Sequence, residues 1–330
     1  MAPRSGHDPT APLIVGIGGL NLDYIVAEPG LDALAAADRR RFMAFFSPGS
    51  ETTIRESDLR RLIDGLDPAH LTVRPGGSSF NMLAALARRY PEISLGFVGC
   101  VGDRPTPSPV LAALEDGRID RRHVAISAGR EHGSCLAIQI DGDRWLATAR
   151  GANDDTARRL RDTREVIGDE LARAGVVHVS SLLDDDAPSA VLAVLEHARE
   201  RNPILKISFD PGAHWSRIAV NDVDVRHLGD MADWMFLNRE EFDAWRDADL
   251  LDGCTGSIFR KAPGCIQVFA RERGWRAPAV EVRQPVIAPG EIRDPTGAGD
   301  VFAAGALSAL IHRPADTRSA AQTGLSWARA

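Results

Sequence analysis

The chain has 330 residues, 44% of them hydrophobic and 26% charged, with a formal net charge of -7 and a pI near 5.7. It is long enough to bury a large core, as one big α/β domain or one domain plus a small appendage. Its acidity argues against a general binder of nucleic acid or anionic membrane. The longest early apolar run, Leu13–Leu20, is too short to span a bilayer, and residues 1–12 lack the apolar segment of an export signal, so the cytoplasm is the expected compartment.

Residues 1–11 read as a disordered N-terminus, and strand-like and helical runs then alternate along residues 12–330. A strand is predicted at Leu13–Ile17, a helix near Ser79–Arg89, and strands at Leu95–Val101 and Val176–Ser180. A helix near Pro188–Arg201, strands at Ile204–Phe209 and Trp234–Leu237, a helix from Glu240, a strand at Cys265–Ala270 and a helix after Asp300 continue the series. Such alternation implies right-handed βαβ units: a three-layer α/β/α fold around a mostly parallel sheet, with ligands at the C-terminal ends of the strands. Two stretches break the rhythm. One is Tyr24–Arg74; the other is Ser134–Ala149, where Leu136, Ile138 and Ile140 alternate before an Asp141-Gly-Asp turn, the pattern of a hairpin. Strands outside any βαβ unit fit a small β-sheet lid, built from parts of 24–75 and 130–150. Its open edges would allow a homodimer through the lids.

The residues with chemistry to offer lie at the ends of these elements. Asp294-Pro-Thr-Gly-Ala-Gly-Asp300 reads as a flexible turn opening a helix, where unpaired N–H groups and the helix dipole favour an anion. Asp300 beside that point reads either as a base that takes a proton from an attacking hydroxyl or as an ordinary N-cap. Gly16-Ile-Gly-Gly-Leu-Asn21-Leu-Asp23 fails as a dinucleotide fingerprint, because Asn21 occupies the third glycine position. Pro75-Gly76-Gly77-Ser-Ser-Phe-Asn81 opens a helix; the glycines permit close approach of a ligand, and Asn81 offers a donor and an acceptor. Asn238-Arg-Glu-Glu241 follows a strand at the ligand edge and, by itself, reads as a helix cap with acidic residues in the first turn. Asp184-Asp-Asp reads as a solvated loop, and His178 and the loop residue His214 as structural. Cys100, Cys135, Cys254 and Cys265, which have no C-x-x-C pair, read as free thiols.

Taken in order, these motifs resemble the ribokinase-like (PfkB) family of sugar and nucleoside kinases over residues 12–325. The resemblance implies an ATP- and Mg²⁺-dependent phosphotransferase with an alcohol acceptor. Asp300 would be the base, and the amides of Gly297, Ala298 and Gly299 the anion hole. Asn21, Asp23, Gly76, Gly77 and Asn81 would bind the sugar or nucleoside, and Arg144 in the hairpin would lie over the transferring phosphate. Asn238, Glu241, Thr296 and Arg271 would serve the nucleotide, with Mg²⁺ held through water at Glu241. Asp294 and Thr296 match the inner part of the family's monovalent-cation site, whose outer ligands would fall past residue 330, so potassium activation stays an open alternative. The short stretch after Asp300 also leaves the adenine pocket unfinished in this reading. The hairpin at 133–149 and the Gly-Gly-Ser-x-x-Asn form at 76–81 are similar to adenosine kinases, whereas Phe209-Asp-Pro-Gly-Ala-His-Trp215 is similar to the sugar-kinase branch. Where the family usually carries a Thr-x-Gly-x-x-Gly-like loop after Cys265–Ala270, this chain has Arg271-Glu-Arg-Gly. The competing reading is a non-catalytic relative that binds a sugar or nucleoside as a sensor or partner.

Overall fold

The computed structural model describes residues 13–27, 30–31, 36–43, 51–140, 143–287 and 297–329, without the side chains of 27, 37–38, 41–42, 139–140 and 143–144. Asp294 and Thr296 therefore lie outside the described residues, as does the Arg144 side chain.

Fourteen strands and twelve helices follow in chain order among those residues. The first segment holds β1 (Ile14–Ile17), β2 (Asn21–Ala27), α1 (Ala36–Met43), β3 (Glu51–Thr53), α2 (Glu56–Asp64), β4 (Leu71–Gly76) and α3 (Ser78–Arg89). Next come β5 (Leu95–Arg104), α4 (Pro109–Asp116), β6 (Ile119–Glu131), β7 (Gly133–Ile140), β8 (Asp143–Ala149), α5 (Asp155–Asp162) and α6 (Arg164–Ala172). They are followed by β9 (Val176–Ser180), α7 (Ala187–Arg201), β10 (Lys206–Asp210), α8 (Gly212–Ile218), α9 (Val223–Met231), β11 (Trp234–Asn238) and α10 (Arg239–Asp247). The chain closes with β12 (Ser257–Ala262), β13 (Cys265–Phe269), β14 (Val280–Arg283), α11 (Ala298–Leu310) and α12 (Thr317–Trp327).

Nine strands form one sheet in the order β14-β13-β12-β11-β10-β9-β1-β5-β6. The seven from β12 to β6 run parallel, and β13 and β14 return antiparallel at one edge. Its central strands are apolar on both faces because helices cover both. In β11, Met235 and Leu237 face the layer of α5–α10, while Trp234 and Phe236 face α3, α4, α11 and α12. Each such side chain, fully buried, contributes about 1.5–3 kcal/mol, which is why these runs specify strands so firmly.

A second sheet, β3-β8-β7-β2-β4, stands apart with its own core of Val26, Ile54, Leu59, Leu62, Leu136, Ile138 and Ala147, so the lid expected from two stretches of chain is present. Four crossings join it to the main body: Gly18–Leu20 between β1 and β2, Gly77 between β4 and α3, His132 alone between β6 and β7, and the Arg150–Asp154 turn after β8. They pack without slack. A Cβ added to Gly77, whose φ is +111°, would collide with the Gly19 carbonyl, and one on Gly133 with the side-chain amides of Asn153 and Asn21.

Three sequence expectations change. The strand expected at Ile204–Phe209 starts two residues later, and Ile204 is exposed. His214 lies in a helix, α8, rather than a loop. Strands β6, β12 and β14, which the sequence reading does not announce, complete the main sheet.

Candidate active site

The parallel strands β1, β9, β10, β11 and β12 point their C-terminal ends at one cleft of about 670 Å³, roofed by the lid. This is where an open α/β sheet binds ligands. Of the expected residues with described side chains, the cleft gathers Asn21, Asp23, Gly77, Asn81, Asn238, Glu241, Gly297, Ala298, Gly299 and Asp300.

Asp300 sits in the first turn of α11. Gly297 caps that helix in the left-handed region, at φ +77°, and the first helical bond runs from Val301 N–H to the Gly297 carbonyl at 2.8 Å. The N–H groups of Ala298, Gly299 and Asp300 thus fall outside the helix ladder and add to its positive end. The carboxylate of Asp300 is half-buried, lines the cleft and accepts a 2.9 Å bond from Asn81 Nδ2 on α3. A Cβ on Gly297 would stand 3.5 Å from Asp300 Oδ2 and 3.6 Å from Asn81 Nδ2, so glycine, amide and carboxylate form one cluster.

On the lid side, Asp23 is 8% exposed and lines the same cleft. Gly76 is not an opening for the ligand. A Cβ there would run into both oxygens of Asp23, so the glycine makes room for that carboxylate. Asn21 Oδ1 already accepts from Asn153 Nδ2 at 2.8 Å, and Asn153 Oδ1 accepts from Leu20 N–H at 3.0 Å, which ties the lid root to the turn after β8.

On the opposite side, Asn238 and Glu241 form a reciprocal cap on α10. Glu241 N–H donates to Asn238 Oδ1 at 2.8 Å, and Asn238 N–H to Glu241 Oε2 at 2.7 Å. This is the helix-cap reading of the motif, and both residues also line the cleft. Burial, and then the charge of Asp210, push the Glu241 carboxyl up to about 7.

Two residues that the sequence did not single out complete the cleft. Lys261, at the end of β12, donates to Asp210 Oδ2 at 2.7 Å, and both side chains are largely buried. Burial alone would lower the Lys261 pKa, but Asp210, Glu241 and Asp300 outweigh it and raise the pKa. Asp184, expected in a solvated loop, also lines the cleft, and burial raises its carboxyl above the usual range. Cys135 lines it too, beside Asp23 in the β2–β7 register. His178 is buried on β9 with Nδ1 2.9 Å from Ser208 Oγ, in keeping with a structural role.

Arg271 is a correction. It follows β13, and β13 runs antiparallel to β12, so it emerges at the edge where the parallel strands begin. There it lines a shallow recess with Lys206, Asp233 and Ser257, away from the cleft. The segment that reaches the ligand edge instead is Lys261-Ala-Pro-Gly264, one hairpin earlier.

The family model described as "pfkB family carbohydrate kinase" matches residues 56–330. The chain belongs to that family. It is accordingly a phosphotransferase with an alcohol acceptor, and ATP and Mg²⁺ are consistent with membership. A curated relative, 5-dehydro-2-deoxygluconokinase of Photobacterium profundum, is 25% identical over 250 residues, covering 72% of this chain and 73% of the relative. Adenosine kinase of Schistosoma mansoni, solved with 2-fluoroadenosine, superposes with a TM-score of 0.80 at 15% identity, over 98% of this chain and 95% of that one. A probable sugar kinase of Rhizobium etli gives 0.74 at 16% identity, over 96% and 91%. At these identities the two structures establish the ribokinase-like fold and leave the acceptor to other arguments. No helix among the described residues is long and apolar enough to cross a membrane.

Proposed function

We propose that this pfkB kinase transfers the γ-phosphoryl group of ATP to a hydroxymethyl group of a sugar or nucleoside, with Asp300 as general base. The observation that carries the reading is the cluster at the start of α11: a half-buried carboxylate in the cleft, oriented by Asn81 at 2.9 Å, beside amides outside the helix ladder.

A carboxylate placed there takes the proton of the attacking hydroxyl as phosphorus arrives, and the amides of Gly297, Ala298 and Gly299 meet the charge on the moving group. Asp23 accepts hydrogen bonds from acceptor hydroxyls, and its burial makes those bonds strong and directional. Holding acceptor and donor in line supplies much of the rate. Val286, Ile287 and Leu325 add apolar side chains to the lining of the same cleft, which suits a purine base.

The donor set also fits magnesium. Glu241 is 7% exposed and, pushed up to about 7, is a carboxylate that an incoming cation would stabilise in its ionised form. Asn238 and Glu241 would hold the hydrated ion, which supplies charge neutralisation along the phosphate chain when bound.

The deciding experiment is ADP release against a panel of pentoses, hexoses, ribonucleosides and their monophosphates, followed by Asp300→Asn on the best acceptor. The substitution is expected to lower kcat by roughly 10²–10⁴-fold with KM little changed. Near-normal turnover in that variant refutes the assignment of the base. ATP binding without turnover on any acceptor points instead to a non-catalytic binder.

A further inference from the structure

Lys261 has an unusual position for a lysine. It lies at the ligand edge of the sheet, lines the cleft, and its side chain is only 16% exposed. Asp210, 11% exposed, holds it at 2.7 Å through Oδ2, while Asp210 Oδ1 accepts from Gly212 N–H at 3.2 Å, so the carboxylate is fixed through both oxygens. On its other side the ammonium abuts α11. A Cβ on Gly299 would stand 3.4 Å from Nζ, which places the charge against the second residue of that helix, in the turn whose N–H groups lie outside the ladder. Burying an ion pair is a poor way to stabilise a fold, because desolvation offsets most of the attraction. An ammonium has three donors, and Asp210 takes one.

We propose that Lys261 Nζ binds the phosphate chain of the nucleotide at the anion hole, with Asp210 as its positioning residue. This rests on the kinase reading above. As phosphorus moves, its bond to the departing ADP oxygen breaks, its bond to the acceptor oxygen forms, and the hydroxyl proton passes to Asp300. Lys261 keeps all its protons and contributes charge alone. The neighbouring charges of Asp210, Glu241 and Asp300 keep it protonated despite burial. The chain thereby carries a cation at the segment nearest the phosphates, the role first sought at Arg271.

The test compares ATP and AMP binding, in Mg²⁺ buffer by calorimetry, in the wild type, Lys261→Arg, Lys261→Met and the double variant Lys261→Met/Asp210→Asn. The double variant removes the buried pair as a unit and so avoids stranding one charge. The Met variants are expected to bind ATP roughly 10–100-fold more weakly, with AMP affinity almost unchanged and Lys261→Arg between them and wild type. A double variant that binds ATP like wild type, or one that loses ATP and AMP affinity equally, overturns the proposal and leaves Lys261 a structural partner of Asp210. A wild-type protein that binds no ATP overturns the kinase reading itself, a different outcome from either.

Discussion

Gly76→Ala tests how closely the lid root is fitted to Asp23, the carboxylate proposed to hold the acceptor. A Cβ at residue 76 would lie 2.6 Å from Asp23 Oδ1 and nearer still to Oδ2 and Cγ, whereas ordinary contact starts at 3.4 Å. Even the farther oxygen must yield about 0.8 Å, and the whole carboxyl more. Asp23 has little freedom to do so, being 8% exposed on a strand paired on both sides. A displacement of about 1 Å in a positioning group is enough to cost on the order of 10²-fold in rate, or about 3 kcal/mol. Steady-state kinetics on the acceptor found by the panel should show kcat/KM for that acceptor falling by about this factor. The KM for ATP should stay put, because the groups proposed to bind the nucleotide lie on other elements. Acceptor kinetics equal to wild type in a folded Gly76→Ala protein would refute the claim that this glycine exists to seat Asp23.

Acid should destabilise the protein in part through His178, whose burial lowers its pKa from the ordinary 6.5 to about 4. Between those values the unfolded chain binds the proton and the folded one does not, so this contribution is full above pH 6.5 and lost as the pH falls toward 4. It amounts to about 3 kcal/mol; urea unfolding from pH 4 to 7 should show His178→Gln with a shallower slope, and an unchanged slope would contradict the account. Asn238→Ala breaks the reciprocal cap on α10. It should cost about 1 kcal/mol of stability, seen as a drop of a few degrees in Tm without nucleotide, together with a raised KM for ATP. Arg271→Ala should leave the KM for ATP within about twofold of wild type, as expected of a side chain at the opposite edge of the sheet.

The parts of this fold legible in the sequence are those where burial on both faces writes a continuous apolar run, as in Ile14–Ile17 and Trp234–Leu237. Strand β12 was not, because Ser257-Ile-Phe-Arg-Lys-Ala holds two core side chains, Ile258 and Phe259, and then turns charged where it enters the cleft. Missing it shifted the ligand edge by one hairpin, and Arg271 was placed by that error. Strand β6 hid for a different reason: it is the outer strand of the main sheet, and Asp120, Arg121, Arg122 and His123 interrupt any alternation. Among site residues, those in Gly-rich turns before helices stood out, since few other uses explain Gly297 beside Asp300. The partnership of Lys261 with Asp210 spans 51 positions and carries no local signature. Asn81 was visible as a polar residue on a helix, but its bond to a carboxylate 219 positions away was not.

The four tight crossings between the two sheets have a mechanical consequence. Asp23 lies three residues beyond one of them and Asn81 four beyond another, while Asn21 is braced to the turn at a third. Any tilt of the small sheet has to be absorbed within these few residues, so the fulcrum coincides with the side chains proposed to hold the acceptor. In the proposed reading, an alcohol that pulls Asp23 and Asn81 together sets the angle of the roof directly, with no relay needed to report that the cleft is filled.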